Sequence, residues 1–361
     1  MKSVTIRHVA KAAGVSVKTV SRIINDEEAV HPDTRARVQR IIDEMQFRPN
    51  PLARSLVAQR TRTIGLIVPD MSNSFFASGV YGCIARAEQH GYHLVVAIGG
   101  PSDTETGQLR ALLEQRVSGI ILWTSALDAP AIRDIMSQAN PACPLVFIDC
   151  GFDVALEQQI LCRSLLVEQR RVGVLATQHL LDEGRRRVAH LADTNWAGRQ
   201  RRLGYLQTLA AAGLSPEEHW IMDGTAGTIE GGIRATLTVL ERRPYPDSIF
   251  AFNDAAAVGA LLVCRKKKLR VPDDIAIVGV DNTRMAAVTD PPITTMRIYQ
   301  RETGEQATAL LLGLIEHEPA RALGSNAQSQ GAGVPPPELI IRLSSTLRAL
   351  PDLSLDDLFD I

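Results

Sequence analysis

From Thr63 onward the chain alternates two kinds of segment, and that alternation restricts the fold more than any other feature. Ile64–Val68, Leu94–Ile98, Ile120–Trp123, Leu145–Ile148, Val188–Ala192, Ser248–Phe252 and Ile275–Val280 are short apolar runs rich in Val and Ile. Helical stretches lie between or beside them, at Ala77–His90, Thr106–Gln115, Val174–Glu183, Arg199–Ala212, Gly231–Arg242 and Ala255–Lys267. Runs apolar on both faces suit strands covered by helices on both sides, as in parallel sheets. The series predicts βαβ units gathered into two α/β lobes.

The rest of the chain bounds the function class. A length of 361 residues suggests two or three domains, with ample chain for a sizeable core. Hydrophobic content of 45% and charged content of 22% fit a soluble globular protein. No apolar run approaches the ~20 residues of a membrane span, and the first residues lack the apolar core of a secretory signal. The five cysteines (Cys83, Cys143, Cys150, Cys162, Cys264) form no C-x-x-C pair, which reads as reduced thiols in a cytoplasmic protein without a metal site. Charge is uneven. Residues 1–62 carry 12 Lys/Arg against 6 Asp/Glu, whereas the remainder carries 27 against 34. A basic head on an acidic body points to a polyanionic partner for the head.

Within that head, Thr5–Asn25 (TIRHVAKAAGVSVKTVSRIIN) reads as two short helices joined by a tight turn. Ile6, Val9 and Ala10 recur at helical spacing. Gly14 suits the position past a helix end, where a positive φ is cheap only for Gly. Ser16 is a good N-cap for the second helix. Val20, Ile23 and Ile24 make its buried stripe, leaving Val17, Lys18, Ser21, Arg22 and Asn25 on the outer face. That face suits a recognition helix in a major groove; an ordinary helical hairpin with a solvated face is the other reading. Pro32 opens a third helix whose stripe is Val38, Ile41, Ile42 and Met45. Then Asn50 and Pro51 start a helix of about two turns, too short to stand alone in water. It is either a linker whose leucines pack on the body or a hinge whose Leu56 wedges into a minor groove.

TIRHVAKAAGVSVKTVSRIIN, TRARV, FRPNPLARSL and TRTIGLIVPDMSNSFFA together resemble the LacI family of bacterial transcription regulators. The resemblance runs in order from about Val4 to Arg348. It implies a small all-α helix-turn-helix headpiece (1–49), a hinge helix and linker (50–61) and a two-lobed α/β core with parallel sheets, like the periplasmic sugar-binding proteins (62–350). Lobe 1 would take about 62–166 and 298–322, lobe 2 about 167–297 and 337–350, followed by an acidic tail at 351–361. The resemblance also implies a homodimer on a pseudo-palindromic operator. Val17, Lys18 and Arg22 would meet base edges, and Leu56 would intercalate. Thr5, Ser16, Thr19, Ser21, Asn25, Asn50, Ala53, Arg54 and Ser55 complete the expected DNA-binding set. Two positions depart from the family pattern: His8 stands where Asp is usual, and His31 where a Ser or Thr cap is common.

In open α/β sheets, ligands bind beyond the carboxyl ends of the strands. There this chain places Asn73, Phe75 and Phe76, Ser125, Asp149, Trp196 and Arg201, Asn253 and Asp281. Aromatic rings with carboxylates, amides and an arginine suit a polyol. The resemblance carries Asn73, Phe75, Phe76, Asp149, Arg201, Asn253 and Asp281 onto effector-contact positions. Phe75 and Phe76 also read as core packing, and Asn253-Asp254 as a helix cap. Glu168-Gln169 replaces the family's frequent Asp-Asn, each side chain longer by one methylene, and Ile298 replaces a usual Gln.

The expected function is a small-molecule-controlled DNA-binding repressor, with a sugar or sugar acid as effector and a nucleobase next. A solute-binding protein of a transport system is the alternative that the two-lobed core permits. An enzyme is not expected, since the chain has no G-x-x-x-x-G-K-[ST], G-x-S-x-G or H-E-x-x-H motif, and no cofactor is expected. Residues 318–337, rich in Gly, Ala, Ser and Pro, read as a surface loop, and Glu338–Arg342 as a last strand of lobe 2.

Overall fold

The computed structural model describes residues 4–24, 30–47, 61–152, 156, 159–225, 227–316, 329–330 and 333–346. The chain forms two compact units that meet between Arg62 and Thr63. Asn25, the hinge residues Asn50, Ala53, Arg54, Ser55 and Leu56, and the acidic tail lie outside the described residues.

The first unit holds α1 (Ile6–Ala13), α2 (Val17–Ile24) and α3 (Pro32–Glu44). Val9, Ala10, Ala13, Val20, Ile23, Val38 and Phe47 form its core. Gly14 sits at φ 62° and ψ 35°, the left-handed conformation that stops α1. The Ser16 hydroxyl accepts the Thr19 amide at 3.1 Å and so caps α2. At the start of α1 the Thr5 amide donates to His8 Nδ1 at 3.1 Å. His8 therefore reaches back to an orphan amide, the task a carboxylate would perform at that position. His31 gives α3 no side-chain cap, and Pro32 provides the preset first turn.

The second unit contains two six-stranded sheets. The first is built from β1 (Thr63–Val68), β2 (His93–Ile98), β3 (Ile120–Trp123), β4 (Leu145–Ile148), β5 (Cys162–Leu166) and, from far along the chain, β11 (Ser329–Gln330). Its order is β11-β5-β4-β3-β1-β2, with every pairing parallel. The helices α4 (Ser74–Gln89), α5 (Ser102–Glu114) and α6 (Ala129–Gln138) belong to this lobe. The second sheet comprises β6 (Val188–Leu191), β7 (Ile221–Met222), β8 (Ser248–Ala251), β9 (Ala276–Val280), β10 (Thr294–Arg297) and β12 (Glu338–Ile340), in the order β12-β10-β9-β8-β6-β7. Only β12 runs antiparallel to its neighbour. With it go α7 (Gln169–Asp182), α8 (Trp196–Ala211), α9 (Ile229–Val239), α10 (Asp254–Lys266) and the short α11 (Arg284–Ala287). After β10 the chain returns to the first lobe as α12 (Gln300–Glu316), whose Ala307 and Leu311 join the core beneath β1 and β3.

Every apolar run of the sequence pattern forms a strand, and β5, β7, β10 and β11 are additional. β7 and β11 escaped the pattern because they are two residues long, and β5 and β10 because they are short and polar, reading CRSLL and TTMR. Several helices begin earlier than their first apolar residue suggests. Asn73 caps α4 by accepting the Phe75 amide, and Asn195 caps α8 by accepting the Gly198 amide. These caps start each helix three residues before the stretch read from the sequence. The last strand stops at Ile340 rather than Arg342. Arg342 turns inward, donating to the Ile293 carbonyl at 3.0 Å and to Asn282 Oδ1 at 2.7 Å.

Candidate functional site

The loops after the strands of both sheets converge on a cavity of about 690 Å³. All nine residues selected from strand ends line it: Asn73, Phe75, Phe76, Ser125, Asp149, Trp196, Arg201, Asn253 and Asp281. Arg201, on α8, is buried in its wall. Gly173 of α7 faces the Arg201 carbonyl so closely that a Cβ there would collide with it, and this approach of α7 to α8 brings Gln169 to the guanidinium. Arg201 Nε donates to Gln169 Oε1 at 2.8 Å, and a terminal nitrogen donates to the Phe252 carbonyl. The guanidinium also lies over the Phe252 ring, 4.7 Å from its centroid. Gln169 passes the link on, its Nε2 donating to Asp149 Oδ2 at 2.7 Å, while Asp149 Oδ1 accepts the Val167 amide at 2.9 Å. Asp149 of the first lobe and Arg201 of the second are thus joined through one buried amide. Burial, only partly offset by these bonds and by Arg201, pushes Asp149 up to about 6. The extra methylene of Gln169 spans that gap, whereas the equally lengthened Glu168 points outward and pairs with Arg171 at 3.2 Å.

Asp281, directly after β9, is 5% exposed. Its φ is 112°, a conformation costly for a non-glycine residue. It is held there because its amide donates to the Met296 carbonyl at 2.8 Å and its carbonyl accepts from Gln300 Nε2. Asp254, one shell behind, accepts from the Thr283 amide at 2.7 Å, the Thr283 hydroxyl at 2.9 Å and the Thr295 hydroxyl at 2.6 Å. These bonds tie the loop after β9 to β10. Burial pushes Asp254 up to about 6 and raises Asp281 well above the ordinary carboxylate value; Arg201 opposes the shift of Asp281 and Asp254 adds to it.

The polar residues around the cavity are not equivalent. Asn253 is occupied as a cap: Oδ1 accepts the Ala256 amide at 2.9 Å, and Nδ2 donates to the Gly227 carbonyl at 2.9 Å. The Ser125 hydroxyl donates to the buried Glu105 and accepts the Leu127 amide at 3.1 Å. Glu105 Oε2 also accepts the Ala126 amide at 2.8 Å, so this carboxylate fixes the loop after β3. Phe75 and Phe76 serve both readings that the sequence left open. They line the cavity and pack edge-on against Trp123, with ring centroids 5.7 and 6.0 Å away. Trp196 lays its indole where a side chain on Gly151 would be. Sequence reasoning missed Glu105, the role of Asp254 in tying the loop after β9 and the bridging role of Gln169. A single carboxylate in a helical stretch carries no signal of its burial, and Gln169 stood out only as a departure from the family pattern.

In the headpiece, Thr5, Ser16, Val17 and Lys18 are exposed, with Val17 at 42%, while Thr19, Ser21 and Arg22 are half-buried. Val20, Ile23 and Ile24 of α2 turn away from this face into the core.

Comparison with known proteins matches this arrangement. Residues 5–50 fit the model of bacterial regulatory proteins of the lacI family, and residues 177–345 fit a periplasmic binding protein-like domain. The HTH-type transcriptional repressor PurR of Vibrio campbellii is 33% identical over 321 residues, covering 87% of this chain and 93% of the relative. The chain belongs to the LacI family. The PurR of Photobacterium profundum is 31% identical over 94% of this chain and 98% of its own. Among solved structures, the Lac repressor dimer bound to operator and the anti-inducer ONPF has a TM-score of 0.78 at 26% identity, over 96% of this chain and 100% of that one. A transcriptional regulator CelR–cellobiose complex has a TM-score of 0.68 at 30% identity, over 94% and 99%. Like these LacI-family relatives, the protein is a DNA-binding transcriptional repressor and not an enzyme. That decides against the transport reading of its two-lobed core. No helix among the described residues is long and apolar enough to cross a membrane.

Proposed function

We propose that this LacI-family repressor acts in the cytoplasm as a homodimer on a pseudo-palindromic operator, controlled by a small polyol, a sugar or sugar acid, in the cavity between its lobes. The observation that carries the effector reading is the cavity itself. Aromatic walls and a buried Arg201–Gln169–Asp149 chain meet where loops from both sheets converge. Such a site offers rings to the C–H faces of a sugar and polar atoms to its hydroxyls. The cellobiose complex of a 30% identical regulator supports the same class.

For the headpiece, Val17, Lys18 and Arg22 read base edges, with Thr5, Ser16, Thr19, Ser21 and Asn25 beside them, and Asn50, Ala53, Arg54, Ser55 and Leu56 act in the hinge. The domain limits carried with this reading are 1–49, 50–61 and 62–350. Dimerisation is supported by the free edge of the first sheet. β2 exposes Val95 and Val96 at 36% and Ile98 at 54%, and Tyr81 on α4 is exposed at 69%. An apolar edge strand left open invites uncontrolled pairing unless another chain covers it.

The test is an operator titration of the full chain with and without candidate polyols, with sedimentation giving the oligomeric state. A ligand that lowers operator affinity must itself bind the operator complex more weakly by the same factor. A polyol panel that leaves operator affinity unchanged would remove the effector reading, and a monomer at micromolar concentration would remove the dimer.

A further inference from the structure

The cavity is short of positive charge. Among the described residues, Asp70, Asp128, Asp149, Asp193 and Asp281 line it against Arg199 and Arg201. Asp149, Asp193, Asp254 and Asp281 all act electrostatically on the one guanidinium of Arg201. That guanidinium is already engaged by Gln169 and the Phe252 carbonyl, and Arg199 donates to the Thr194 carbonyl. Arg342, the cation behind Asp254, is held by Asn282 and the Ile293 carbonyl.

Most of the lining carboxylates have local donors. Asp149 accepts from Val167 and Gln169, Asp70 from the amide and hydroxyl of Ser72, Asp128 from the Ala131 amide, and Asp193 from the Asn195 amide. Asp281 differs. Among the described residues no hydrogen bond reaches its carboxylate, although it is 95% buried and lines the cavity. The cation that acts on it is Arg201, shared with Asp149, Asp193 and Asp254, and a buried carboxylate without a donor is costly unless a ligand supplies one.

We infer that the effector supplies a second cation: an amine-bearing polyol whose ammonium group meets Asp281 while its hydroxyls meet the remaining polar wall. This rests on the cavity being the polyol site, and it drops the sugar-acid half of that reading. A carboxylate or phosphate would add a further anion to a buried cluster that already has too few cations. A neutral sugar can give Asp281 a hydroxyl donor but leaves the charge imbalance in place. Charge-assisted hydrogen bonds are about twice as strong as neutral ones, so the amine should outrank its parent.

The experiment is calorimetry and thermal unfolding of the full chain with matched sets in the gluco, galacto and manno series. Each set holds the 2-amino-2-deoxy sugar, its N-acetyl derivative, the parent hexose and the uronate, at a pH where the amine is protonated. In the series that fits, the amine is expected to bind about tenfold or more tighter than the parent hexose, a difference of ~1.4 kcal/mol. The N-acetyl derivative should fall back to the parent level, and the uronate should not bind. Asp281→Asn should reduce the preference for amine over parent to about twofold or less. A parent hexose or a uronate that binds as tightly as the amine overturns the inference and leaves the polyol site standing. If no member of any series shifts the unfolding temperature, both the polyol site and the inference fall.

Discussion

The headpiece and the cavity hold their polar groups in opposite ways. In the headpiece the bonds that fix the reading face are local: Thr5 to His8 and Ser16 to Thr19 each span three residues. Lys18 and Val17 simply project from a small packed core. Around the cavity, Asp149 and Gln169 are 20 residues apart, Thr295 and Asp254 are 41, and Arg201 and Phe252 are 51. Removing a headpiece side chain should subtract one contact. Removing a cavity side chain strands a buried partner.

The sharpest break of that contrast is Arg201→Ala. Without its guanidinium the surrounding carboxylates lose their shared cation, and the core should lose about 3–5 kcal/mol. All three tryptophans (Trp123, Trp196, Trp220) lie in the core, so their fluorescence during urea unfolding isolates this effect from the headpiece. A loss below ~1 kcal/mol would mean that these carboxylates protonate at little cost and that the network is not electrostatic.

Asp149 gives the next effect and fixes its sign. Its carboxyl sits at about 6 in the fold against 3.8 ordinarily, so between those values the folded chain holds a proton that the unfolded chain has released. Stability from this group is therefore lost as pH rises through that window, by on the order of 2–3 kcal/mol. Asp149→Asn should flatten the pH dependence of the urea midpoint between pH ~4 and ~7 relative to the parent. An unchanged slope would assign the dependence elsewhere. His190 pulls the other way, held down to about 4 by burial against Phe250, so the comparison must be made between variant and parent rather than on the parent alone.

On the headpiece side the expected effects are smaller and confined to DNA. Arg22→Ala should weaken operator binding by about 1–3 kcal/mol, with little effect on random DNA and no change in the tryptophan-monitored transition. Equal weakening on both DNAs would make it a phosphate contact. Smallest of all, His8→Ala should cost about 0.5–1 kcal/mol through the first turn of α1, read as faster hydrogen exchange at the Thr5 amide. Exchange that stays unchanged would mean that the reciprocal cap contributes nothing.

Legibility followed the same division. Gly14, Ser16 and Pro32 announce the helix ends by rules acting over three or four residues, and the structure places them as those rules predict. The nine residues selected at strand ends all line the cavity, because a parallel sheet puts its carboxyl ends on one side. What stayed hidden was each group's state. Asn253 and Ser125 look like ligand donors in sequence, yet their atoms are committed to a helix cap and to Glu105. β5 and β10 were invisible because neighbouring strands bury Ser164, Thr294 and Thr295 without any apolar pattern to mark them.

Sequence alone determined the family, the alternation of strand and helix, the helix ends of the headpiece and nine of the residues that line the cavity. These depend on periodicity, capping and the order of segments, all written along the chain. Tertiary structure alone decided which carboxylates share Arg201, that Gln169 bridges the lobes, and that Asp281 is buried without a donor. Burial and charge balance arise from residues tens or hundreds of positions apart, and they acquire meaning only when the fold removes the water between them.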